Sequence, residues 1–335
     1  MVINGTPSDA VTLKYGFPQG SCIGPFGFKL YTKELTMIAQ KHGIQIHLYA
    51  DDTHLYIPFQ IHESRQALDR LERCIEEIRR WMKDNFLKLN DSKTEFLILG
   101  APRDLAKLPT VAVSVGDEAI SPSETARNIG AYMDPALELK QQVANIVKAC
   151  YFQLRSISKI HKYLSESSAI KLCHAFISSR LDCLNSLLYK LPKYLLNKLK
   201  LIQNNTARLI LRLKKNDHIT PALVKLHWLP IPQRIVYKIL LLVYKALNNK
   251  GPKYLAEMLV RHQPTRALRS ADQNLLTEIK TQKLYGERSF AFSGPYLWNR
   301  LPPHVRKSES VDIFKKKLKT HLFSDAFSSK QYLES

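Results

Sequence analysis

No apolar run in this chain is long enough to cross a bilayer. The longest, residues 235–247, is interrupted by Lys238 and Lys245, and a spanning helix needs about 20 apolar residues. The opening residues Met1-Val2-Ile3-Asn4-Gly5 show neither the basic cluster nor the apolar stretch of a secretory leader. Membrane insertion and secretion are therefore unsupported. Cysteine is sparse too: Cys22, Cys74, Cys150, Cys173 and Cys183 stand far apart, odd in number and without a C-x-x-C pair. That excludes a disulfide framework and a cysteine zinc site as expectations, and points to reduced thiols in an intracellular protein, nuclear or cytoplasmic. The 11 histidines are scattered and form no H-x-x-x-H pair near a cysteine cluster. Internal repeats and low-complexity tracts are also missing.

Acidic residues are scarce in one part of the chain only. Lys and Arg number 50 against 29 Asp and Glu, a formal net charge of +21. Residues 1–135 hold 15 basic and 17 acidic side chains, whereas residues 136–335 hold 35 and 12. No Asp or Glu occurs between Asp182 and Asp217. A solvated surface normally mixes both signs, so a single-sign stretch of this length suits a polyanion, and nucleic acid is the commonest large one. A basic surface that binds nothing, or one drawn to anionic membrane, is the other reading. At 45% apolar and 24% charged residues, the composition is that of a globular protein, and the length favours two domains or one with a large appendage.

The hydrophobic period changes near residue 136. Before it, short β-type runs at residues 44–49, 54–58, 95–99, 111–115 and 128–133 alternate with helical patterns at 26–40 and 64–85, an α+β arrangement with an antiparallel sheet. After it, helical spacing prevails. Val143, Ile146, Val147, Cys150, Leu154 and Ile157 form one apolar stripe, and Lys148, Arg155, Lys159 and Lys162 recur on another face. A second basic helix is expected over 192–213, with Arg208 and Arg212 outward, and further helices over 233–248 and 311–323, the last with Ile313, Phe314, Leu318 and Leu322 inward. Residues 291–303, rich in Gly, Pro, Trp and Phe, read as a folded loop or turn-rich segment.

Two segments carry the chemistry. In Tyr49-Ala50-Asp51-Asp52 two adjacent carboxylates interrupt apolar strands. If the strands pair as a hairpin, both acids sit at its tip, where hard oxygen donors suit Mg²⁺; a structural turn is the alternative. Upstream, Gly16-Phe17-Pro18-Gln19-Gly20-Ser21 leads into a helix, and glycines there let the backbone approach another group closely.

These segments, about thirty residues apart and followed by Leu89-Asn90-Asp91-Ser92-Lys93-Thr94-Glu95, resemble the reverse transcriptase of a LINE-type (non-LTR) retrotransposon. Asn128-Ile129-Gly130-Ala131-Tyr132-Met133-Asp134 is similar to the family's following strand, which holds the primer end. Leu226-His227-Trp228-Leu229-Pro230 and Leu297-Trp298-Asn299-Arg300-Leu301-Pro302 look like the region downstream of the polymerase.

The resemblance implies an RNA-directed DNA polymerase with an RNA template, a DNA primer and deoxynucleoside triphosphates. Residues 1–135 would form a partial palm, 136–220 a helical thumb-like region, and 221–335 a basic C-terminal domain. Asp51 and Asp52 would hold Mg²⁺, and Lys93 would approach the leaving phosphates, unless it is only a surface lysine. Pro18, Gln19, Gly20, Ser21 and Tyr49 would shape the nucleotide pocket. Gly130, Lys148, Arg155, Lys159, Lys162, Arg208 and Arg212 would meet nucleic acid. The family also uses a further carboxylate and fingers N-terminal to the Gln19 segment, normally with an endonuclease domain upstream. Asp9 is the only acid before Gly16 and falls in a turn-like stretch. The expectation is therefore a partial polymerase, inactive alone, or a non-catalytic nucleic-acid-binding remnant or pseudogene product.

Overall fold

The computed structural model describes residues 22–262, 274–281 and 284–327, together with the backbone of residues 2–3 and 6–7. The chain divides into two compact units, Met1–Ala126 and Arg127–Ser335. Its fold is α+β, with antiparallel two-stranded sheets in the first unit and helices dominating the second.

In the first unit, strands β1 (Val2–Ile3) and β2 (Thr6–Pro7) pair antiparallel. Helices α1 (Gly24–Tyr31) and α2 (Glu34–Lys41) follow. The single helix expected over 26–40 is thus broken. Thr32 is buried, and its hydroxyl donates to the Phe28 carbonyl, so the chain turns at Thr32-Lys33 instead of continuing. The hairpin of β3 (Gln45–Tyr49) and β4 (Asp52–Tyr56) comes next, then the 21-residue α3 (Ser64–Asp84). Buried Leu68, Leu71, Cys74 and Ile78 fall at helical spacing along α3 and pack with Leu35 and Ala39 of α2 and with Ile44, Val113 and Val115. The short α4 (Pro102–Leu105) precedes strands β5 (Val113–Val115) and β6 (Glu118–Ile120). Glu72 of α3 accepts the Ser114 amide at 2.7 Å and so fixes β5 against the helix. At the turn between β5 and β6, Gly116 has φ +63°, and a Cβ there would overlap the Arg79 guanidinium at 1.3 Å.

The strand expected at 95–99 is reduced to one bridge, Phe96 to Pro122. Proline has no N–H with which to extend a ladder. The strand expected at 128–133 is instead a hairpin, β7 (Ala126–Asn128) and β8 (Ala131–Met133), turned at Ile129 and Gly130 with φ 43° and 85°. Positive φ at both central residues matches the twist of a two-residue hairpin loop.

The second unit continues with α5 (Lys140–Ile160), α6 (Glu166–Cys173), α7 (Ser179–Asp182), α8 (Lys193–Leu211), α9 (Ile219–Lys225), α10 (Ile231–Leu247), α11 (Lys253–Glu257), α12 (Leu284–Arg288), α13 (Phe290–Asn299), α14 (Pro303–Arg306) and α15 (Val311–Phe327). One hydrophobic core runs through them from Leu139 to Phe327. α10 is central to it, contacting α8, α13 and α15. Tyr244 of α10 stacks on Phe314 at 4.2 Å, and its hydroxyl donates to the Ser308 carbonyl at 2.6 Å. Ile313 is 40% exposed, not inward as expected, while Phe314, Leu318 and Leu322 are buried.

The segment expected to be turn-rich at 291–303 forms α13 despite Pro295 in its interior. Burial against α10 outweighs the lost helical bond. Gly294 lies so close to Val243 that a Cβ would meet its methyl at 3.0 Å, and Trp298 is buried beside Tyr244 and Phe314. The Trp298 indole donates to Asn274, and the Asn299 amide both accepts from and donates to the Leu276 backbone. In the same way Trp228 is enclosed by the His174 ring and the Arg234 guanidinium, which is itself paired with Asp182 at 2.8 Å. Both tryptophan motifs of the basic half are therefore core elements.

Burial pushes the thiols of Cys74, Cys150 and Cys173 up to about 11, Glu77 adding to the effect at Cys74. They are protonated and unreactive at neutral pH. No helix among the described residues is long and apolar enough to cross a membrane.

Removing the Trp298 side chain leaves a large cavity between three helices. Trp298→Ala is expected to cost about 3–5 kcal/mol, read as a lowered urea midpoint. A change below about 1 kcal/mol would contradict the burial of α13 against α10.

Candidate active site

The β3–β4 hairpin positions the two carboxylates. Its register pairs Tyr49 with Asp52, Leu48 with Thr53, His47 with His54, Ile46 with Leu55 and Gln45 with Tyr56. Side chains alternate along each strand. Ile46, Leu48 and Leu55 consequently pack toward the apolar cluster of the first unit, while Gln45, His47, Tyr49, Asp52, His54 and Tyr56 share the opposite face. The loop is Ala50-Asp51 alone. Ala50 takes the left-handed φ of 53°, which for a residue with a Cβ costs about 1–2 kcal/mol.

Asp51 and Asp52 are both exposed, and neither carboxylate meets a hydrogen-bond donor or cation among the described residues. Tyr49, directly across from Asp52, is 55% exposed. Two sequence-adjacent carboxylates, open to water and unpaired, fit a hard divalent cation that keeps part of its own hydration shell. Among the described residues no group of three or more His, Cys, Asp or Glu side chains could hold a metal. The tip therefore offers part of the donor set that a two-metal clamp needs.

His47 and His54, not among the site residues expected from the sequence, share this face. Their rings lie 6.5 Å apart on the Tyr49–Asp52 face, and the Nε2 of His54 is buried without a partner among the described residues. The alternation His47-x-Tyr49 and Asp52-x-His54 is the signal that places all four on one face.

Lys93 is exposed at the end of a 3₁₀ turn, Asp91–Lys93. This turn is fixed from both sides. Asp91 pairs with Arg79 of α3 at 3.2 Å, and the Asn90 carbonyl accepts from the Lys93 amide and the Thr94 hydroxyl. Among the described residues, Lys93 forms no hydrogen bond or ion pair with the carboxylate hairpin. Pro18, Gln19, Gly20 and Ser21, with Asp9, lie outside the described residues.

The remaining expected site residues belong to the second unit. Gly130 occupies the β7–β8 turn with open space where a Cβ would project. Lys148, Arg155 and Lys159 are exposed on α5, and Lys162 follows in the 3₁₀ turn His161–Tyr163. Arg155 meets Arg208 and Arg212 at an open cleft of about 430 Å³ between α5 and α8, lined also by Ser158, His161 and Asn205. Arg208 is half-buried, donating to the Asp217 carbonyl at 3.3 Å, with its Nε buried and without a partner among the described residues, whereas Arg212 caps α8 at φ 55°. Lys148, Lys159 and Lys162 do not line that cleft.

Relief of the left-handed strain at residue 50 offers a direct test of the turn. Ala50→Gly recovers about 1–2 kcal/mol and loses about 0.4–1 to unfolded-chain entropy. The variant is expected to be more stable by up to about 1.6 kcal/mol in urea unfolding, and destabilisation would contradict the turn geometry.

No curated protein and no solved structure matches the chain. Residues 2–164, a span that includes Asp51, Asp52, Lys93, Gly130 and the basic face of α5, match the family described as reverse transcriptase (RNA-dependent DNA polymerase).

Proposed function

We propose that the chain serves RNA-directed DNA synthesis in the manner of a non-LTR, LINE-type retrotransposon reverse transcriptase. In this reading residues 1–135 supply part of the polymerase palm, 136–220 a thumb-like region and 221–335 a basic C-terminal domain. The observation that carries it is the exposed, unpaired carboxylate pair at the tip of a two-residue hairpin, inside the segment matched to that family.

Asp51 and Asp52 would hold Mg²⁺ at the primer end. When bound, the metal lowers the pKa of the 3′-hydroxyl and stabilises charge on the departing pyrophosphate. Pro18, Gln19, Gly20, Ser21 and Tyr49 would shape the nucleotide pocket. Lys93, held out by the Arg79–Asp91 pair, would meet the triphosphate. Template RNA and primer DNA would run over Gly130, Lys148, Arg155, Lys159 and Lys162 and enter the Arg155–Arg208–Arg212 cleft through phosphate contacts with little sequence preference.

A second reading, a non-catalytic nucleic-acid-binding remnant, is favoured by one observation: no third metal-ligating side chain joins the pair among the described residues. Metal binding separates the two. Titration of the full chain with Mn²⁺, followed by electron paramagnetic resonance, is expected to show a site weakened at least about tenfold in Asp51→Asn or Asp52→Asn. Unchanged binding in both variants would leave the remnant reading. For the same reason, residues 1–335 by themselves are expected to give no template-dependent primer extension with Mg²⁺, and clear extension would show that they complete the metal site.

Binding to nucleic acid should fall steeply with salt. Arg155→Ala and Arg212→Ala are each expected to reduce the slope of log K against log salt by about one, measured by fluorescence anisotropy. A slope unchanged in both would remove the cleft from the path.

A further inference from the structure

The exposed face of α5 carries an aromatic side chain among its cations. Gln142, Val143, Ile146, Cys150 and Ile157 are buried. On the outward side Lys148, Phe152, Arg155 and Lys159 follow one another at i, i+4, i+7 and i+11, all exposed. That spacing draws one stripe along a helix. No Asp or Glu occurs between Glu138 and Glu166, and none of the three cations forms an ion pair among the described residues.

Phe152 is 66% exposed. Its neighbours Tyr151 and Leu154 pack on the core, and Phe152 does not. Tyr163, 77% exposed, extends the series in the turn that follows α5, with the Lys162 ammonium 4.7 Å above its ring.

The chemistry of the stripe selects its occupant. The cations suit phosphates. A phenyl face suits another π-face, and in a duplex those faces are covered by neighbouring base pairs. Only an unpaired base can reach one. We infer that Phe152 is a stacking platform for an unpaired base, making the outer face of α5 a single-strand-binding surface, with Lys148, Arg155 and Lys159 holding the flanking phosphates. This rests on the proposal that template and primer run over the basic face and adds that the strand crossing Phe152 is unpaired there.

The test uses the full chain with a fluorescein-labelled 20-nucleotide single strand and, separately, a blunt duplex of the same sequence. Phe152→Ala is expected to weaken single-strand binding by about fivefold to a hundredfold, leaving duplex binding and the salt slope unchanged. Phe152→Trp should bind the single strand at least as well as wild type, whereas Phe152→Leu, apolar but without a π-face, should resemble the alanine variant. Lys159→Ala should weaken both nucleic acids and lower the salt slope. Equal loss on both substrates, or no loss on either, overturns the stacking role while leaving the nucleic-acid reading in place. Absence of binding by the wild-type chain at low salt overturns both. If sedimentation instead shows that Phe152→Ala dissolves a wild-type dimer without altering single-strand affinity, the stripe is a self-association face and the inference is wrong.

Discussion

The site depends on one constraint, the two-residue turn that forces Tyr49 opposite Asp52. Because side chains alternate along a strand, this register commits Ile46, Leu48 and Leu55 to the apolar cluster and leaves Tyr49, His47, Asp52 and His54 on the other face. A slip of one residue would bury the carboxylate and expose the leucines. Ala50 bears the cost in its left-handed conformation. Strain of this kind persists where the surroundings over-determine it, and here the packing of Ile46, Leu48 and Leu55 on the apolar cluster fixes the register that imposes it.

The second unit separates stability from charge. Its tryptophan motifs, which resemble the region downstream of the polymerase in such elements, are enclosed by Tyr244, Phe314, His174 and Arg234. Many of its cations stay outside that core, on α5 and at the α5–α8 cleft. Arg208 belongs partly to each role, bound to the backbone at Asp217 yet lining the cleft.

Much of this was legible in the residues. Alternation marked β3, and helical spacing marked α3, α5, α8 and α10 to within a few residues. What escaped was set by contacts distant in sequence or by single backbone angles. Strand β4 begins at Asp52 and not at His54, because the left-handed Ala50 lets the chain reverse within two residues. Residues 290–299 form a helix against the propensities of Gly294 and Pro295, because Val243 and Phe314 lie where they can bury it. Ile129 and Gly130 divide one apparent strand into two by positive φ, a feature that apolar periodicity does not encode. At the candidate site the acids were visible as residue types, whereas the face that adds His47 and His54 required the register.

The proposed grasp of a divalent cation by the tip of the β3–β4 hairpin can be read as paramagnetic broadening. In ¹⁵N-labelled full-length chain titrated with substoichiometric Mn²⁺, the amides of residues 49–54 are predicted to broaden first and to recover on addition of excess Mg²⁺. Broadening centred elsewhere, or none at the hairpin while other acidic positions respond, would contradict the account.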